Sequence, residues 1–317
     1  MTGTPPHAVA LVVSVLITVL ASCSTGPTDP VPGPAAVSVT SPTHADIAYA
    51  RASPSEVLDL WLPGDDRRPY PLVIFLHGGG FSGGDKSAVG PKVAPLLRAG
   101  LAVASVNYRL SGEATFPAAA QDAKAAVRHL RAGAATYGLD PGRFAVWGES
   151  AGANLAALVG TTGDQPTVLD DPALGNGAVS DAVQAVVDWY GPVDFAQRER
   201  QSRAGGSDCR TPQIARADRH MTGYLGADVD TVPRRAAESN PITYLRTAAS
   251  LPAFSIAHGT ADCLVPLAQS TLLVDALRAA GNRPDVHVRD GATHGDPRFD
   301  RELLAPTIAW LDGVLRR

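Results

Sequence analysis

Charge is sparse in this chain. Of its 317 residues only 18% are Asp, Glu, Lys or Arg, the net formal charge is −4, and no basic cluster is large enough to cover a face. A protein that tracks nucleic acid needs such a face, and so does one drawn to anionic lipid, so a small-molecule partner is expected instead. Cysteine is scarcer still, with three residues: Cys23, Cys209 and Cys263. A zinc site assembled from His258, Asp262, Cys263 and His294 would lack the paired ligand spacing that such sites use, so no metal is expected. Long apolar runs are confined to Ala8 to Ala21, too short to span a bilayer comfortably. No internal repeat divides the remainder. The 45% of hydrophobic residues suffices for one large core, and a single α/β domain of about 250 residues is an ordinary size.

No Lys or Arg precedes the apolar run, yet its length and composition read as the h-region of a secretory signal. It ends in Leu20, Ala21, Ser22 and Cys23, which resembles the lipobox of bacterial lipoproteins, where the signal peptidase cuts before a cysteine that carries lipid. The expected organisation is a signal peptide over 1–22, a lipid-anchored tether over 23–43 that is rich in Pro, Thr, Ser and Gly, and a folded domain over 44–317. The protein is then extracytoplasmic, anchored to a bacterial cell membrane through Cys23 or secreted. An ordinary signal peptide, or an uncleaved anchor with an incidental cysteine, is the alternative. With Cys23 committed to lipid, Cys209 and Cys263 form a pair in an oxidising compartment, and a disulfide between them is expected; two free buried thiols are the alternative.

After the tether, Ile47 to Leu62 alternates enough for one or two edge strands, closed by the turn signal Pro63, Gly64, Asp65, Asp66. Short runs at Leu72 to Leu76, Ala102 to Val106, Phe144 to Trp147, Val183 to Trp189, Ala253 to Ala257 and Val286 to Arg289 read as strands buried on both faces. Helical stretches at Lys92 to Ala99, Pro117 to Tyr137, Ala151 to Gly160, Pro266 to Ala280 and Asp300 to Leu315 separate most of them. Strands alternating with helices predict a mainly parallel sheet flanked by helices. The spacing breaks between Gly191 and Ser250, after the sixth strand. About 60 residues there carry no strand signal and read as a weakly structured, lid-like insertion, with a solvated surface excursion as the alternative.

The chemistry-bearing signal is Gly148, Glu149, Ser150, Ala151, Gly152, placed directly after a strand and directly before an apolar helix. This G-x-S-x-G pattern needs small residues two positions either side of the serine so that the chain can turn tightly and project Ser150 into a cleft. His77, Gly78, Gly79, Gly80 follow an upstream strand, as a loop donating N–H groups to an oxyanion should; Gly78, Gly79 and Ala151 are the expected donors and His77 a structural hydrogen-bonder. Gly78, Gly80 and Gly83 also satisfy G-x-G-x-x-G, but no acidic residue follows about 20 positions on, and Asp85 between Gly84 and Lys86 breaks a P-loop, so no nucleotide cofactor is expected. A serine nucleophile needs a base and an acid that orients it. Asp262 and His294 each follow a strand, in the order this arrangement requires, and are the expected acid and base; Asp194 and Asp290 are rival acids, His258 and His287 rival bases. Phe81, Trp189 and Tyr190 flank these motifs as candidate walls of a substrate pocket, with core packing as the alternative. Arg109 and Asp122 read as a structural ion pair.

These motifs, with Asn107–Leu110, Asp188–Asp194 (DWYGPVD), Ser239–Tyr244 (SNPITY) and HGTADCLVP around Asp262, resemble bacterial α/β-hydrolases: the hormone-sensitive-lipase-like esterases and, more closely, the bifunctional acetyl and feruloyl esterases. The likeness covers Leu72 to Asp296. It implies an α/β-hydrolase fold and metal-free, cofactor-free hydrolysis of short-chain carboxylic esters, acetyl or feruloyl esters of carbohydrates among them, through an acyl-enzyme. Cys263 directly after the acid departs from the commoner pattern. An amide or peptide hydrolase, arylformamidase included, uses the same residues, and a catalytically silent binding module is the reading from another class.

Overall fold

A computed structural model of the chain describes residues 1–3, 41–204, 209, 211–248 and 250–316. The expected lipidation site Cys23 lies outside the described residues, as do the signal peptide beyond its first three residues and the tether up to residue 40.

Eight strands form one sheet in the order β1-β2-β4-β3-β5-β6-β7-β8. β1 (His44–Ala48) pairs antiparallel with β2 (Val57–Trp61), and β2 antiparallel with β4 (Ala102–Val106). From β4 onward every pairing is parallel, through β3 (Tyr70–Leu76), β5 (Leu139–Glu149), β6 (Ala185–Trp189), β7 (Ala253–Gly259) and β8 (Asp285–Arg289). This is the mainly parallel sheet that the alternating pattern predicts, in the α/β-hydrolase arrangement that the resemblance implies.

Alternate side chains of the central strands enter two separate cores, as the two-residue period of a strand requires. On one face Ile74, Val146, Val186 and Phe254 pack against α2 (Ala118–Ala132), α4 (Ala151–Thr161) and α8 (Leu267–Ala279). On the other, Phe75, Trp147, Val187 and Trp189 pack against α1 (Gly90–Arg98) and α9 (Leu304–Leu315). Both faces of β3 to β6 are therefore covered, which is why these strands read as continuous apolar runs.

Four expectations need correction. β2 is an interior strand, with Leu58 and Leu60 fully buried, because β1 covers its outer edge. β8 is itself an edge strand; Val286 and Val288 are 37% and 45% exposed, so its β-branched run does not signify burial on both faces. The stretch from Pro117 to Tyr137 is two helices, α2 and α3 (Ala134–Tyr137), divided at Gly133. The segment from Gly191 to Ser250 is not weakly structured. It holds α5 (Phe195–Ala204), α6 (Thr211–Leu225) and α7 (Pro233–Glu238), with Ala217, Met221, Tyr224 and Leu225 of α6 buried.

Candidate active site

All the parallel strands end at one edge of the sheet, and Ser150, Asp262, His294 and the glycine loop all lie where the chain leaves that edge, where α/β sheets place their ligands. β5 ends at Glu149 and α4 begins at Ala151, so one residue makes the turn. That residue, Ser150, has φ 53° and ψ −119°, a region L-residues rarely occupy. The turn holds because its neighbours are bare. A Cβ on Gly148 would lie 2.1 Å from the Gly152 carbonyl oxygen, and one on Gly152 would lie 2.0 Å from that of Leu76. The Ser150 N–H donates to the Trp189 carbonyl at 2.9 Å, pinning the elbow to β6.

Residues separated by more than a hundred positions in sequence meet here. Ser150 Oγ lies 2.8 Å from His294 Nε2, and His294 Nδ1 lies 2.7 Å from Asp262 Oδ2. The other carboxylate oxygen, Oδ1, accepts 2.9 Å hydrogen bonds from the Leu264 and Val265 amides. His258 approaches Asp262 Oδ2 at 3.3 Å through Nε2, which is also 2.8 Å from the Val265 carbonyl, while its Nδ1 faces the Ser270 hydroxyl at 2.7 Å. This network suits an Nε2–H tautomer of His258 that donates toward both oxygens. Burial alone would raise the Asp262 carboxyl; hydrogen bonds from His258 and His294 outweigh it and hold the group at about 2.

The rivals are occupied elsewhere. Asp194 caps α5, accepting from the Gln197 amide at 3.0 Å and from the Gln197 side chain at 2.7 Å. Asp290 accepts from Thr260 and His287 pairs with Asp285. Arg109 forms the expected ion pair with Asp122, at 2.6 Å.

The glycine loop folds back on itself beside the elbow. Gly79, at φ 124°, leaves no room for a side chain, since a Cβ would meet the Gly83 carbonyl oxygen at 2.0 Å; a Cβ on Gly78 would lie 3.3 Å from that of Ser150. His77 is buried, stacked on Tyr108 with ring centroids 4.4 Å apart, and its Nδ1 donates to the Gly78 carbonyl at 2.8 Å. Burial pushes its imidazole pKa down. Because a trans peptide carries its C=O and N–H on opposite sides, fixing the Gly78 carbonyl on His77 turns the Gly79 N–H the other way. Ala151 supplies the first N–H of α4 next to Ser150, at the positive end of the helix.

Of the three candidate pocket aromatics only Phe81 lines the cavity beside Ser150. Trp189 is a core residue, its ring 4.8 Å from that of Trp147 and 5.8 Å from that of Phe299. Tyr190 lies behind the imidazole, edge-on to His294 at 5.0 Å, and packs on Phe299 at 4.7 Å. The rest of the wall comes from residues that sequence reasoning passed over, chiefly Phe195 of α5 and Ala217, His220 and Met221 of α6. For Ala217 and Met221 the one signal is their helical spacing with Tyr224, a stripe that the polar residues of α6 mask. Wider clefts exist, such as one of about 500 Å³ lined by Arg128, Asp164 and Asp181, but that cleft contains no histidine in its wall.

Cys209 and Cys263 are joined by a disulfide, with Cα atoms 5.1 Å apart, so the residue after Asp262 is tied to the segment between α5 and α6. Replacing both cysteines by serine is expected to lower the unfolding free energy by about 2–4 kcal/mol, since the bridge closes a long loop of the unfolded chain. Urea denaturation of the two proteins checks this, and coincident transitions would show that the bridge adds nothing.

The sequence pattern of the family described as BD-FAE matches residues 58–277, from β2 into α8. The chain belongs to the BD-FAE family. Beyond this BD-FAE match, the chain is similar to the esterase LipC of Mycobacterium tuberculosis, 30% identical over 257 residues that make up 80% of this chain and 60% of LipC. It is also similar to the esterase LipQ of the same organism, 32% identical over 75% of this chain and 53% of LipQ. It thus spans little more than half the length of these relatives. Among solved structures, a truncated carbohydrate esterase from gut microbiota superposes with a TM-score of 0.74 at 28% identity, covering 86% of this BD-FAE chain and 96% of the other. A bifunctional GH43-CE protein of Bacteroides eggerthii gives 0.72 at 31% identity, over 84% and 37% of the two chains.

Proposed function

We propose that this chain is a serine carboxylesterase that works through an acyl-enzyme. The observation that carries the reading is the continuous hydrogen-bonded relay from Asp262 through His294 to Ser150, set at a strained elbow on the ligand-facing edge of the sheet. His294 Nε2 takes the Ser150 proton as Oγ attacks the ester carbonyl, and the resulting oxyanion rests on the N–H groups of Gly78, Gly79 and Ala151. His294 then returns the proton to the leaving alcohol. The same imidazole then takes a proton from water, whose oxygen attacks the acyl carbon, and returns that proton to Ser150 Oγ as the acid leaves, while ionised Asp262 holds the imidazole with Nδ1–H toward itself throughout. No step calls for a metal or cofactor. Esters of carbohydrates are the natural substrate in this reading, supported by the carbohydrate esterase among its structural neighbours. The apolar run and lipobox-like sequence before Cys23 support an extracytoplasmic enzyme on a lipid anchor.

Diethyl p-nitrophenyl phosphate tests the nucleophile. One equivalent of p-nitrophenol per chain is expected, together with loss of p-nitrophenyl acetate hydrolysis and a diethylphosphoryl mass increment on the peptide containing Ser150. Hydrolysis that persists after complete labelling, or a label on another residue, would overturn the assignment.

A further inference from the structure

A cavity of about 40 Å³ opens beside Ser150, between the glycine loop and α6. Its wall is apolar, built mainly from Phe81, Phe195, Ala217, Met221 and Val265, each buried. Arg198 also reaches it, with its guanidinium engaged by Asp218 and the Leu264 carbonyl. Ser150 and Ala151 border the cavity, but among the described residues neither His294 nor Asp262 does.

That asymmetry assigns a side. The leaving oxygen must take its proton from His294 Nε2, so the alcohol departs on the imidazole's side of Ser150. A cavity that meets the nucleophile without meeting the imidazole receives the part that stays on the carbonyl carbon. We propose that this cavity is the acyl pocket, and that Met221, with Ala217 one helical turn before it, sets the limit on acyl length. The proposal rests on the serine esterase reading and gives it a substrate boundary.

Size and rigidity both bear on it. A water-sized sphere needs about 10–15 Å³ of such volume, so the cavity holds about three non-hydrogen atoms, the tail of a butyryl group. A cinnamic-type acyl group, with its ring, is larger than that volume. Phe81 is stacked on Tyr224 at 3.7 Å, and Phe195 meets both rings edge-on at 6.1 and 5.9 Å, so this wall cannot retreat side chain by side chain. The backbone of α6 is fixed over the loop as well. His220 bonds Ser82 at 2.9 Å and covers Gly80 so closely that a Cβ there would lie 2.5 Å from its ring. Met221 is the unbranched, adaptable part of the wall, and its length decides where the pocket ends.

The test compares the full chain with Met221→Ala and Ala217→Leu on two series: p-nitrophenyl acetate, butyrate and octanoate, then ethyl and hexyl acetate. The octanoate-to-acetate ratio of kcat/KM is expected to rise about tenfold or more in Met221→Ala, the selectivity that removing a few methylene-sized groups from such a wall yields. In Ala217→Leu, butyrate is expected to fall relative to acetate, and the hexyl-to-ethyl acetate ratio stays unchanged in both variants. Because Ala217→Leu fills the cavity, it tests the proposal even if Met221→Ala fails to fold. Unchanged acyl ratios in a folded, active variant would overturn the proposal, and so would a change confined to the alcohol series. Absence of Ser150-dependent hydrolysis of any ester by the wild type would instead bring down the esterase reading beneath it.

Discussion

Ser150→Ala is expected to lower kcat for p-nitrophenyl acetate by on the order of 10⁶-fold while leaving the fold intact. Without Oγ no acyl-enzyme forms, and His294 and the N–H groups around the site retain only a residual advantage over water, about 10³–10⁴-fold. Alanine carries the same Cβ as serine, so the unusual backbone at position 150 costs the same in both proteins. The loss is therefore chemical, and thermal or urea unfolding of the variant should coincide with that of the wild type. A variant that keeps more than about a hundredth of the wild-type rate would mean that another group attacks the ester, a drop far short of what loss of a nucleophile causes.

Asp262→Asn should be the next most damaging change, with kcat falling about 10⁴-fold, and the geometry says why. Asp262 Oδ1 is bound to the Leu264 and Val265 amides, so an asparagine would keep its carbonyl oxygen there and turn its NH₂ toward His294 and His258. Two donors cannot share one contact. His294 would have to present a bare Nδ1 to the amide and carry its proton on Nε2, pointing at Ser150, where it can no longer accept the serine proton. The same substitution has a signature in stability. Asp262 sits at about 2 in the folded protein, below its ordinary unfolded value, so its contribution is fully present above about pH 4 and disappears as pH falls from about 4 to 2; it amounts to about 2 kcal/mol. Unfolding curves of wild type and Asp262→Asn should therefore converge over that window. A kcat near wild type, with curves parallel across it, would remove Asp262 from the relay.

The residues of the candidate site were legible wherever local sterics leave a mark. Gly148 and Gly152 are both required by close approach to other backbone, and that requirement is what the pattern around Ser150 encodes. Asp262 and His294 stood out because each lies a few residues after a run that reads as a strand on its own. Trp189 was misplaced for the opposite reason. It ends β6 on the face that packs against Trp147 and Phe299, and nothing local tells which face of a fully buried strand meets the cleft. β8 was misread because a β-branched run such as Val286 and Val288 looks the same at a sheet edge as in its middle; only the lack of a further pairing strand among the described residues, a tertiary fact, exposes them. The pocket wall on α6 was hidden because its polar and charged residues mask a three-residue apolar stripe, whose meaning depends on the glycine loop it covers.

The backbone of Ser150, described above as a tight turn, also sets a tension between durability and activity. Holding a side chain at that φ and ψ costs on the order of 1–3 kcal/mol, a sizeable share of the margin by which a domain outlasts unfolding. Glycine would relieve it and would erase the nucleophile. In the esterase reading proposed above, selection for thermal endurance alone would thus drift toward a sturdier, inert protein, and only pressure to turn over substrate would keep the serine there. The covered strands β3, β5 and β6, which surround the elbow with buried side chains, are the reserve of stability that lets the chain carry a residue its own backbone disfavours.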